Sequence, residues 1–101
     1  MRYDKLVRDK IPEIIISKGG KPVTHVVADK EELKTRLISK LYEEVGEFAN
    51  NWRPEELADI MEVVRALSEI VGSSPELVEF ERQKKAQEKG GLSEGIVLDE
   101  A

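Results

Sequence analysis

Residues Asp29 to Val71 read DKEELKTRLISKLYEEVGEFANNWRPEELADIMEVVRALSEIV, and this stretch decides the fold. Each helical residue advances about 100°. By that step Leu37, Leu41, Val45 and Phe48 form one apolar face, with Leu33 and Ile38 at its edges. Asp29 followed by Glu32 is a capping-box start, and the helix is expected to run to about Ala49. Asn50-Asn51-Trp52-Arg53 is the expected turn. Pro54 suits a first helical turn, and a second long helix is expected to reach Val71, stopped by Gly72. Its apolar residues, Leu57, Ile60, Met61, Val63, Val64, Leu67, Ile70 and Val71, cover about half its circumference. The pattern is that of a helical hairpin.

The flanks fill in the architecture. Before the hairpin, Pro12 and a capping Asp9 predict a short helix from about Ile11, ended by Lys18-Gly19-Gly20. After it, Ser74-Pro75 starts a third long helix, expected to reach about Glu88 and to stop at Lys89-Gly90-Gly91. Residues 22–28 (PVTHVVA) are β-branched and short, which predicts a strand. Residues 95–98 (GIVL) are its expected partner. The chain therefore reads as mainly α: one domain over residues 1–101, a helical bundle with a small β-ribbon from 22–28 and 95–98.

Composition narrows the function. The 101 residues contain no cysteine, which removes thiolate metal sites and disulfides. The polar start Met1-Arg2-Tyr3-Asp4 lacks the apolar core of a signal peptide, and no apolar run approaches the ~20 residues of a membrane span. A cytoplasmic protein without a membrane partner is expected. The net charge of −5 is uneven. Residues 43–69 carry eight acids and two bases, residues 1–10 four bases and two acids, and residues 82–89 four bases and one acid. A duplex nucleic-acid binder would present one broad basic face instead. An acidic centre with basic ends suits a cation together with a polyphosphate.

The acids themselves point the same way. Glu44-x-x-Glu47 and Glu56-x-x-Asp59 are i, i+3 pairs, each on one face of its helix. On the wheel Glu44 falls between Leu33 and Leu37, at the core margin, with Glu47 and Lys40 beside it. Glu56 falls between Val63 and Leu67, and Asp59 just beyond Ile70 and Val63. Glu55, Glu62, Arg65 and Glu69 take the solvated side. A carboxylate on an apolar face is costly to desolvate unless it is paired or metal-bound. One solution is a buried salt bridge, Glu44 with Lys40 or Glu56 with an arginine. The other is a hard divalent cation, Mg2+ or Mn2+, held across the hairpin by four carboxylates.

Two further features carry a resemblance. The block Lys40-Leu41-Tyr42-Glu43-Glu44-Val45-Gly46-Glu47-Phe48, followed by Glu55-Glu56-Leu57-Ala58-Asp59-Ile60, resembles the EExxE…ExxD signature of the all-α nucleoside triphosphate pyrophosphohydrolases, which include MazG, the dimeric dUTPases and phosphoribosyl-ATP pyrophosphatase. The opening Tyr3-Asp4-Lys5-Leu6-Val7-Arg8-Asp9-Lys10-Ile11-Pro12 and the closing Lys89-Gly90-Gly91-Leu92 are similar to those of the small MazG-like proteins. The resemblance implies a Mg2+-dependent enzyme that cleaves a nucleotide between its α and β phosphates, giving monophosphate and pyrophosphate. It implies Glu44, Glu47, Glu56 and Asp59 as metal ligands and Glu43 as a water-orienting base or supporting group, so that Glu43, Glu44 and Glu47 carry the chemistry. It also implies a homodimer or homotetramer.

Phosphate needs cations as well. Lys40 lies one turn before Glu44. Lys5, Arg8 and Lys10 form one basic cluster, and Arg82, Lys85 and Lys89 fall on one stripe of the third helix. Each of these is also compatible with a solvated surface. Trp52 either stacks on a base or packs the hairpin turn. His25, the lone histidine, reads as an ordinary packed or exposed residue, or as a general base. Gly46 inside a helix costs about 1 kcal/mol relative to Ala, which predicts close packing or ligand approach there. Two rival functions stand beside this reading: phosphoribosyl-ATP pyrophosphatase of histidine biosynthesis, and a non-catalytic helical interaction module.

Overall fold

The computed structural model describes residues 3–101. Among these it contains four helices and no strand: α1 (Ile11–Ser17), α2 (Lys30–Asn51), α3 (Pro54–Ile70) and α4 (Pro75–Lys89). The chain is mainly helical, as its periodicity predicts.

α2 opens with the expected reciprocal cap. Asp29 Oδ1 accepts from Glu32 N–H at 2.9 Å, and Glu32 Oε1 accepts from the Ala28 N–H at 3.0 Å. The helix runs two residues beyond Ala49 and ends at Trp52, which takes the left-handed conformation (φ 56°, ψ 46°) while its N–H donates to the Phe48 carbonyl. Reversal over Trp52 and Arg53 brings α3 back along α2. Pro54 holds the first position of α3, as expected, and Ser74 Oγ caps α4 by accepting from Leu77 N–H.

Leu37 of α2 and Val63 of α3 are the buried apolar residues of the hairpin. Ile60, Leu67 and Ile70 are half-buried beside them. Leu57, Met61, Val64 and Val71, on the other flank of the α3 arc, stay exposed. The arc is wider than one neighbour covers. α4 packs only partly on α3, so its Leu77 and Phe80 are also exposed.

Two expectations fail, and a third is narrowed. Residues 22–28 and 95–98 form no ribbon. Val23 and Val26 face open space, and an isolated two-stranded ribbon has too little apolar burial to persist in water. His25 consequently sits in an exposed irregular segment and not in a strand. Asp9 does not cap α1: the cap position is Lys10, with no side-chain hydrogen bond. At Gly46, a Cβ would meet nothing within 4 Å, so close packing within this chain is not what a glycine serves there.

The molecule is extended. Its radius of gyration is 17.4 Å and its dimensions are 57 × 32 × 23 Å, whereas a compact domain of this length has a radius of about 13 Å.

Candidate metal centre

The hairpin places Glu44 of α2 opposite Glu56 and Asp59 of α3. One carboxylate oxygen from each lies within 4.8 Å of the others. α2 supplies its member from mid-helix, in the row that meets α3. α3 supplies Glu56 from its first turn, where the free N–H groups and helix dipole favour negative charge, and Asp59 from the turn after.

Glu44 is the buried member, at 7% exposure. Lys40 Nζ, one turn earlier, lies 3.6 Å from Glu44 Oε1. The second oxygen, Oε2, is buried with no hydrogen-bond partner. Burial raises the Glu44 pKa above the ordinary glutamate value, the negative charges of Glu47, Asp59 and Glu43 raise it further, and Lys40 opposes them. An orphaned buried carboxylate oxygen, among oxygen donors of like charge, fits a hard cation. The three side chains, whose oxygens lie within 4.8 Å of one another, would draw closer to hold one such ion.

The neighbours of the other two acids are specific. Asn51 Nδ2 donates to Glu56 Oε1 at 3.0 Å. Arg8 Nη2 donates to Asp59 Oδ1 at 2.7 Å. Arg8 belongs to the non-helical segment before α1. That segment is held along the hairpin at two further points: Lys5 Nζ lies 3.6 Å from Glu43 Oε1, and Arg36 grips Asp4 through its backbone oxygen at 3.3 Å and Oδ1 at 3.2 Å. A cleft of about 130 Å³ lies beside these contacts, lined by Asp4, Lys5, Leu6, Arg36, Ser39, Lys40 and Glu43.

No model of a known protein family, no curated protein and no solved structure matches the chain.

The expected site is thus assembled in part. Glu44, Glu56 and Asp59 converge. Glu47 does not join them; it is exposed and acts on Glu44 through its charge. Glu43 is exposed and paired with Lys5. Lys40, Lys5 and Arg8 stand at the acids, each already in an ion pair. Arg82 is instead bound to Glu79 at 2.7 Å, on the rim of a groove between α3 and α4. Lys85 and Lys89 are exposed on α4 and make no ion pair with the acids. Trp52 is 75% exposed and stacks on Phe48, with ring centroids 4.8 Å apart.

Of the two solutions to the buried-carboxylate problem, one is present. The salt bridge of Glu44 with Lys40 forms, yet leaves one oxygen free. The arginine is found on Asp59 rather than Glu56. Asn51 was missed as a supporting residue, because it falls inside the expected turn; its position five residues before Glu56, across the hairpin bend, is the signal that could have found it.

Proposed function

We propose that this protein is a divalent-cation-dependent nucleotide pyrophosphohydrolase of the MazG-like type, cleaving a nucleoside triphosphate between the α and β phosphates. The observation that carries the reading is the convergence of Glu44, Glu56 and Asp59, with Glu44 Oε2 buried and partnerless. The EExxE…ExxD resemblance supports it, as do Lys40 and Arg8, paired with Glu44 and Asp59, and Lys5, paired with neighbouring Glu43.

In this reading Glu44, Glu56 and Asp59 hold Mg2+ or Mn2+, with Glu47 as a fourth ligand or an outer one. When bound there, the cation would neutralise phosphate charge and lower the pKa of a water. Glu43 accepts a proton from the attacking water, since a carboxylate within reach of the nucleophile can serve as its base. Lys40, Lys5 and Arg8 orient the phosphates; such transfers are mainly positioning and charge neutralisation. Trp52, exposed at the hairpin end, offers a stacking face for a nucleobase. Arg82, Lys85 and Lys89 reach phosphate only if a second subunit brings α4 to the site.

A second copy is part of the proposal. The described chain exposes 9097 Å², whereas a compact monomer of 11.4 kDa exposes about 5,800 Å². The excess, about 3,300 Å² on one chain, includes the extended segments outside the helices; an obligate interface removes roughly 2,000–5,000 Å² summed over both partners, or about 1,000–2,500 Å² from each. The groove between α3 and α4 has a volume of about 700 Å³; Met61, Val64 and Val78 form its apolar floor. Glu62, Arg65, Glu79 and Arg82 stand on its rim. A rim carrying both signs gives each charge an opposite one to meet on a second copy across a two-fold axis.

The test is Mg2+-dependent pyrophosphate release across ribo-, deoxy- and modified nucleoside triphosphates and phosphoribosyl-ATP. Pyrophosphate from a triphosphate supports the proposal, and turnover of phosphoribosyl-ATP alone reassigns the substrate. Orthophosphate in place of pyrophosphate refutes the reaction class.

A further inference from the structure

Asp59 faces two claims at once. It is one of the three acids whose oxygens converge, and its Oδ1 accepts a 2.7 Å hydrogen bond from the Arg8 guanidinium. Arg8 lies 51 residues away in sequence, so the pair is a tertiary contact made by the segment before α1. That segment has no helix or strand of its own between Tyr3 and Arg8. It is held by the Asp4–Arg36, Lys5–Glu43 and Arg8–Asp59 ion pairs. In the last two both side chains are at least one-third exposed; exposed pairs of this kind hold weakly and exchange readily. At the Arg36 end Asp4 is itself 78% exposed; what holds it is a two-point contact, through its backbone oxygen and Oδ1, to an Arg36 fixed by Glu32 through a 2.8 Å bond.

We propose that Arg8 and the divalent cation compete for Asp59, so that the Arg8 segment is a latch. In the cation-free protein the guanidinium compensates Asp59. A cation among the three oxygens would sit within a few ångströms of that guanidinium, and like charges at such range repel. Arg8 then leaves Asp59, pivoting about the Asp4–Arg36 anchor. Its planar fork meets a better partner in a phosphate or pyrophosphate group, which accepts two parallel N–H bonds where Asp59 takes one. Arg8 is therefore a positioning residue that opposes the cation alone and favours the cation together with an anionic ligand. This inference rests on the reading that Glu44, Glu56 and Asp59 hold a divalent cation.

Binding measurements test it without reference to turnover. Mn2+ affinity is measured by titration calorimetry and electron paramagnetic resonance, with and without inorganic pyrophosphate, for the wild type, Arg8→Gln, Arg8→Lys and Asp59→Asn. Arg8→Gln is expected to bind Mn2+ alone more tightly, by roughly two- to fivefold, the range of an exposed charge interaction. With Mn2+ saturating, the same variant should bind pyrophosphate more weakly than the wild type. Arg8→Lys, which keeps the charge and loses the fork, should restore the wild-type Mn2+ affinity without restoring pyrophosphate binding. Equal or weaker Mn2+ affinity in Arg8→Gln overturns the latch while leaving the metal site standing. Absence of Mn2+ binding in the wild type, or its survival unchanged in Asp59→Asn, overturns the metal reading and the latch with it.

Discussion

Lys40 reaches one oxygen of Glu44 across 3.6 Å and leaves the other buried and bare. The lysine satisfies half of a carboxylate. Oε2 has neither a donor nor water exposure, and Asp59 stands close by with the same charge. Such a residue strains the metal-free fold and is available to a ligand.

Neutralising it should therefore separate stability from activity. Glu44→Gln is expected to abolish nucleotide hydrolysis and to stabilise the metal-free protein by about 1 kcal/mol, the order of one relieved buried charge interaction. Glu69→Gln, on the exposed face of α3, should change neither. Circular dichroism melts and the pyrophosphate assay read both outcomes; equal activity loss in the two variants would mean that the faces of the hairpin are misassigned.

The pH dependence has a definite sign. The folded-state pKa of Glu44 is raised above 4.5, first by burial and then by Glu47 and Asp59. The native protein thus holds a proton that the unfolded chain gives up earlier. The Glu44 contribution to stability is greatest below about 4.5 and declines as pH rises through the raised value. Denaturant titrations of metal-free protein should show this decline, and Glu44→Gln should flatten it. A Glu44 contribution that grows with pH over that window would contradict the buried, partnerless setting.

Glu56 and Glu47 should not be equivalent. Glu56 lies in the converging set and Glu47 outside it. Glu56→Gln is expected to weaken Mn2+ binding at least tenfold more than Glu47→Gln, since a lost ligand outweighs a lost nearby charge by more than about 1.4 kcal/mol. Comparable losses would mean that Glu47 swings inward and ligates directly. Asn51→Ala, which frees Glu56 Oε1, should reduce Mn2+ affinity roughly tenfold, the lower end for an outer-shell partner.

Assembly is open to a simple measurement. Met61→Glu combined with Phe80→Glu charges the uncovered flanks of α3 and α4. Light scattering at micromolar concentration should give a dimeric or larger even-numbered mass for the wild type and a smaller, less stable species for the double variant. A monomeric, fully active wild type would remove the second copy from the proposal.

The hairpin and the inward turn of Glu44 were legible because both follow from a 100° step along one helix. The wheel gives direction but not reach. It set Glu47 next to Glu44 without showing that the oxygens of Glu56 and Asp59 would close on one and not the other. β-branched composition suggested strands at 22–28 and 95–98, but a strand needs a partner, and local sequence does not supply one. The Arg8–Asp59 pair was out of reach for the same reason: two residues of opposite charge 51 positions apart carry no periodic signal.

The solitary tryptophan has a practical use. Trp52 stands at the end of α2, stacked on Phe48 and next in sequence to Asn51, which holds Glu56. With no other indole in the chain, its fluorescence is an optical reporter already wired to the acid cluster. A quench or spectral shift on adding a cation or nucleotide could be followed in real time, label-free, in the unaltered protein.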